Sequence, residues 1–129
     1  MRVVLADEQA SVRSALRLLL THELHMQVIG EAPDLQGAQA LLVATCPDLL
    51  LVAWKLFDGQ AAVTVLALRA LCPHLLVIAL SGQEDERRSA MAAGMDGFVN
   101  EADGATRVMA VLQGFGAIEM PRREQSHDP

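Results

Sequence analysis

The sequence has no tyrosine, one tryptophan and three phenylalanines, so aromatics make up only 3% of its 129 residues. Since 52% of the residues are apolar, a core can still form, built from Leu, Val, Ala, Ile and Met. Such side chains suit helices packed on a sheet better than a sandwich or barrel. Positive charge is also scarce: ten Lys and Arg against sixteen Asp and Glu leave a net charge of -6. The basic pairs Arg87-Arg88 and Arg122-Arg123 stand beside acids (Glu84, Asp85 and Glu86; Glu124) and read as solvated surface. An acidic chain without a basic stripe is a poor binder of nucleic acid or membrane, because phosphates repel it. No apolar run reaches the ~18 residues of a membrane span, and no secretory signal is read before the first strand. There are two cysteines, Cys46 and Cys72, too few for a disulfide framework or a zinc site. Both are expected to be small apolar fillers in a reducing cytoplasm. The histidines (His22, His25, His74, His127) show no metal-binding pattern as a set and are expected at the surface. A Gly-rich phosphate loop and a nucleophile elbow are both missing, which disfavours nucleotide binding and serine hydrolysis.

What is present is an alternation of short apolar runs and amphipathic segments. Arg2 to Ala6 reads as a buried strand. Val12, Ala15, Leu16 and Leu19 then recur at helical spacing, with Arg13 and Arg17 on another face and Ser11 as a candidate cap. Met26 to Gly30 is a second strand, and Pro33-Asp34 opens a helix carrying Leu35, Ala38 and Leu42 on one side. Pro47 stops that helix, and Asp48 to Ala53 follows as a third strand, apolar enough to be covered on both faces. After the Asp58-Gly59 loop come a helix from Gln60 to Leu71, a strand from Leu75 to Leu80 and a short helix from Glu84 to Ala93, closed by Gly94. Gly97 to Asn100 is a weak fifth strand, and Val108, Val111, Leu112 and Phe115 mark the inner face of a last helix. Two helix-to-strand turns look alike: Thr45-Cys46-Pro47-Asp48-Leu49-Leu50 and Leu71-Cys72-Pro73-His74-Leu75-Leu76. Strands separated by helices run parallel through right-handed crossovers. The expectation is one α/β domain over residues 1–116, with 117–129 a polar tail or the start of a linker.

In such a sheet, ligands bind beyond the carboxyl ends of the strands. Asp7 and Glu8 stand there after the first strand, Ala53, Trp54 and Lys55 after the third, Ser81-Gly82 after the fourth and Asn100-Glu101 after the fifth. Two adjacent carboxylates at one mouth repel unless a cation shares the site, and oxygen-only ligands suit Mg²⁺.

Four segments carry a resemblance. Val4-Leu5-Ala6-Asp7-Glu8-Gln9 is similar to the acidic pair of response-regulator receiver (CheY-like) domains. Pro47 to Trp54 is similar to their third strand, Leu80-Ser81-Gly82 to their switch hydroxyl, and Ala92-Ala93-Gly94-Met95-Asp96-Gly97-Phe98-Val99 to the approach to their fifth strand. The resemblance covers about residues 2–114 and is nearest the receivers of helix-turn-helix regulators. It implies a flavodoxin-like doubly wound (βα)5 sheet in the order 2-1-3-4-5, with two helices on one face and three on the other. It further implies that Asp7, Glu8 and the Lys55 carbonyl would hold Mg²⁺, that Ser81 would bind a phosphoryl oxygen, and that Phe98 is the switch aromatic. Two positions depart from the family. The phosphoacceptor aspartate is replaced by Ala53, and the phosphate-binding lysine by Glu101; Ala102 also stands where the family often has proline.

A methyl group cannot attack a phosphoryl donor, and Glu101 reverses a charge meant to stabilise an anion. Asp48 cannot substitute: at ~3.3 Å per residue it stands about 16 Å from Ala53, at the other pole. Any Mg²⁺ site at Asp7 and Glu8 is expected to be weak or vestigial. Glu101 would either repair it or pair with Lys55. Ser81 is equally a turn residue capping the next helix, and Trp54 a packing residue of the loop. The reading is a non-enzymatic pseudo-receiver that signals by protein contact, as a homodimer or with a partner, through about residues 84–115. Alternatives are the receiver part of a longer DNA-binding regulator, a small-ligand sensor using the vacated pocket, and a phosphoacceptor at an unexpected residue.

Overall fold

The computed structural model describes the backbone of residues 1–127 and the side chains of residues 1–116. Five strands, β1 (Arg2–Ala6), β2 (Gln27–Ala32), β3 (Leu49–Ala53), β4 (Leu76–Ser81) and β5 (Gly97–Asn100), form one sheet in the order β2-β1-β3-β4-β5. All four neighbouring pairs are parallel. The helices that follow them in turn are α1 (Ala10–Leu18), α2 (Leu35–Thr45), α3 (Ala61–Leu71), α4 (Arg87–Ala92) and α5 (Ala105–His127). The expected α/β class and strand order are both present. The tail expected at 117–129 lies outside the residues whose side chains are described.

Strand periodicity divides the core. Val3, Leu5, Leu49, Leu51, Ile78 and Leu80 face one way, onto Leu16 of α1, Leu20, and Val108 and Leu112 of α5. Val4, Ala6, Leu50, Val52, Val77 and Ala79 face the other way, onto α2, α3 and Ala90 of α4. Two helices thus cover one face and three the other. β3 is buried at all five positions because both faces are covered.

Boundaries differ from the sequence reading at several places. Ser11 does not cap α1; the helix begins at Ala10 after Gln9, with no side-chain cap. It passes into a wider π turn over Leu19–Glu23 before β2. α2 opens after Asp34, as read from the sequence, and the Asp34 side chain caps it by accepting from the Gly37 amide at 2.7 Å. The segment from Glu84 to Ala93 is a 3-10 turn (Glu84–Glu86) followed by α4. Gly97 makes room for Phe115: a Cβ there would stand 2.5 Å from Cζ of that ring. No helix among the described residues is long and apolar enough to cross a membrane.

The cysteines correct the expectation of two independent fillers. Cys72 is buried, but Cys46 is exposed, and the two form a disulfide with Cα atoms 5.6 Å apart. The two similar turns enter β3 and β4, which pair Leu49 with Leu76. Adjacent parallel strands therefore set equivalent turn residues side by side.

Candidate functional site

The carboxyl ends of β1, β3, β4 and β5 surround a cavity of about 360 Å³ lined by Asp7, Ala53, Lys55, Ser81, Glu86 and Glu101, with Trp54, Gln9 and Gln83 also on its wall. Of the residues singled out in the sequence, Asp7, Ala53, Trp54, Lys55, Ser81 and Glu101 meet here. Glu8 and Phe98 are not part of the lining.

Asp7 is buried. Its amide donates to Ala32 O at 3.0 Å, and its Oδ1 accepts from the Gln9 amide at 2.9 Å. The Arg13 guanidinium donates to its carbonyl and also reaches Glu31 Oε1 of β2 at 3.2 Å. Arg13 thus anchors the β1–α1 turn, a role that helical periodicity alone did not reveal. Glu8 turns outward and pairs with Lys55 Nζ at 2.7 Å. Of the two roles weighed for Glu101, pairing with Lys55 is therefore not the one seen, since Lys55 pairs with Glu8. Glu8 raises the Lys55 pKa, chiefly by hydrogen bonding and also by its charge. Glu101, at the rim, is held above the usual carboxylate range by partial burial and by Asp7, an effect that Lys55 opposes.

Ser81 caps its own turn, its Oγ accepting from the Gln83 amide at 3.0 Å, and its hydroxyl donates to Glu86 Oε1. Ser81 is thus a turn residue, but it does not cap the next helix as weighed from sequence: the 3-10 turn begins after Gln83 and α4 after Glu86, both without a side-chain cap. The acid-rich stretch Glu84-Asp85-Glu86 was legible, but not which of its carboxylates folds back. Ala53 is 3% exposed and offers the cavity a methyl group where an oxygen ligand would be needed. Glu8 is engaged by Lys55, and no three carboxylate, thiol or imidazole groups among the described residues stand close enough to hold a metal. As arranged, these residues do not fit a Mg²⁺ site.

A second polar cluster joins the 3-10 turn at Glu84–Glu86, α4 and β5. Phe98 is buried in β5, with the Arg87 guanidinium carbon 4.7 Å from its ring centroid. Arg87 also pairs with Glu84, which accepts from Asn100 Nδ2 at 3.1 Å. Hydrogen bonds from Arg87 and then Asn100 lower the Glu84 pKa to about 2. That contribution is present above the ordinary carboxylate pKa and is lost as the pH falls toward 2. Asn100 Oδ1 caps the following turn by accepting from the Ala102 amide at 2.9 Å.

No protein-family model matches the chain. The structure is similar to the signal receiver domain of the response regulator NarL from Mycobacterium tuberculosis, with a TM-score of 0.73 at 24% identity, covering 86% of this chain and 91% of that one. It is also similar to a LuxR-family two-component response regulator from Aurantimonas sp. SI85-9A1, with a TM-score of 0.75 at 22% identity over 91% of this chain and 83% of that one. The protein has the receiver fold. In sequence, it is 30% identical over 103 residues to protein-glutamate methylesterase/protein-glutamine glutaminase 5 of Myxococcus xanthus (strain DK1622). That match takes in 78% of this chain but 30% of the relative, so the chain spans under a third of that protein. On the receiver fold, the cavity just described occupies the crevice where open parallel sheets bind ligands.

Proposed function

We propose that the chain is a pseudo-receiver, a signalling module that acts by protein contact and does not accept a phosphoryl group. The observation that carries this reading is Ala53 at the end of β3, buried in the wall of the cavity. A methyl group has no lone pair to form an acyl phosphate. Glu101, Asp7 and Glu86 add negative charge where a phosphoryl anion would have to be held. The contact surface is α4, β5 and α5, about residues 84–115. The Glu84–Arg87–Asn100 network and the Arg87–Phe98 contact give that surface one ordered arrangement, and Met91 is an exposed apolar side chain on it. A bistable element there responds to whatever ligand or partner binds its two states unequally.

The test is the intact mass of the protein after incubation with Mg²⁺ and acetyl phosphate, beside a receiver that retains its aspartate. The expected result is an unchanged mass here and one added phosphoryl group on the control. A phosphoryl adduct on this chain would overturn the reading, and mapping it would name an unexpected acceptor.

A further inference from the structure

The repeated Cys-Pro turn plays no part in the cavity, yet it has a geometry of its own. Cys46 follows α2 in a left-handed backbone conformation (φ 38), and Cys72 follows α3. Because β3 and β4 are adjacent and in register at Leu49 and Leu76, the turns lie side by side at the pole opposite the cavity. Their Cα atoms, 5.6 Å apart, are within the span a disulfide can bridge without backbone movement. The two thiols differ in access: Cys46 is exposed, whereas Cys72 is 3% exposed. The Arg2 guanidinium donates to Thr45 O at 3.0 Å and to Cys46 O at 3.4 Å. It thereby offsets the carbonyl-rich end of α2, which would otherwise disfavour a thiolate there.

We infer that Cys46 and Cys72 are a reversible thiol–disulfide modification site that reacts with low-molecular-weight disulfides. The reduced Cys46 thiol loses its proton to solvent, and the thiolate attacks one sulfur of the small disulfide. The S–S bond of the reagent breaks, one small thiolate leaves and takes up a proton, and Cys46 carries the mixed disulfide. Cys72, deprotonated in turn, attacks Cys46 Sγ and expels the second small thiolate. Two protein thiols are oxidised and one small disulfide is reduced to two thiols. The product ties the end of α2 to the end of α3 and closes a loop with a sequence separation of 26.

The full chain, fully reduced, is equilibrated in buffers of graded reduced-to-oxidised glutathione ratio, alkylated and weighed. The expected result is a single transition from two alkylated thiols to none, reversed by dithiothreitol in the folded protein, with Tm higher by about 10 °C in the oxidised form. C72A is expected to retain glutathione on Cys46, while C46S leaves Cys72 unmodified. Stable glutathione adducts on the unaltered chain, disulfide-linked dimers, thiols that persist in excess oxidised glutathione, or a bond that dithiothreitol breaks only on unfolding would each overturn the inference. So would equal labelling of C46S and C72A, which removes the order of attack.

Discussion

Ala53 and Glu101 are the two cavity side chains on which the proposed loss of phosphoryl chemistry rests. Ala53→Asp puts a carboxylate beside Asp7 in a cavity that already holds Glu101 and Glu86. Like charges at such separations disfavour ionisation together, so the variant is expected to lose about 1–2 kcal/mol of stability without a cation. Millimolar Mg²⁺ is expected to restore several degrees of Tm in the variant and to leave the parent unmoved. An equal shift in the parent would mean that Asp7 and its neighbours already bind the ion. Glu101 offers a pH test. Its folded pKa is raised, so the folded state holds the proton more tightly, and stability falls as pH climbs through the window above the ordinary carboxylate pKa. Glu101→Gln removes that loss. Thermal scans are expected to show little difference near pH 4 and a gain at pH 7, held to a few degrees by solvent screening at the rim. A gain that is largest at acid pH would contradict this. The identities of Asp7, Ala53, Ser81 and Glu101 as pocket residues were legible in sequence from strand-end position alone. The Glu8–Lys55 pair was not, because both side chains are long and exposed and several partners were equally near.

At the scale of the element, α3 illustrates what periodicity resolves and what it leaves open. Its eleven residues are apolar except Thr64 and Arg69, so the sequence showed a helix but gave no clear polar face to orient it. The structure buries Ala61, Val65 and Leu68 and leaves Val63 and Leu66 more than two-thirds exposed. Leu68→Ala is therefore expected to cost about 2–5 kcal/mol in denaturant unfolding, and Leu66→Ala less than about 0.5 kcal/mol. Comparable losses at both positions would mean that this outer face is covered in solution. Strand boundaries were legible to within two residues, helped by turn residues such as Pro47-Asp48 before β3 and Ser81-Gly82 at and after the end of β4. The π turn after α1 carried no such mark, since Leu19-Leu20 continues the helical pattern.

For the whole molecule, alternation gave a parallel α/β sheet, and the family resemblance supplied the strand order that the structure then displayed. The disulfide was not read from the sequence, although the two like Cys-Pro turns and the implied order of β3 beside β4 together place Cys46 next to Cys72. Residues 26 apart become neighbours only once β3 and β4 are known to be adjacent and in register. The central claim, that the receiver scaffold persists here without its phosphoryl chemistry, is tested most directly with a phosphoryl mimic. Amide spectra of the labelled protein would be recorded with Mg²⁺, before and after adding beryllofluoride. No saturable shift is expected at Asp7, Ala53, Ser81 or along β5. Saturable shifts that begin at the cavity and spread to Phe98 and Asn100 would contradict it, and would mean that the site still binds and responds to a phosphoryl group.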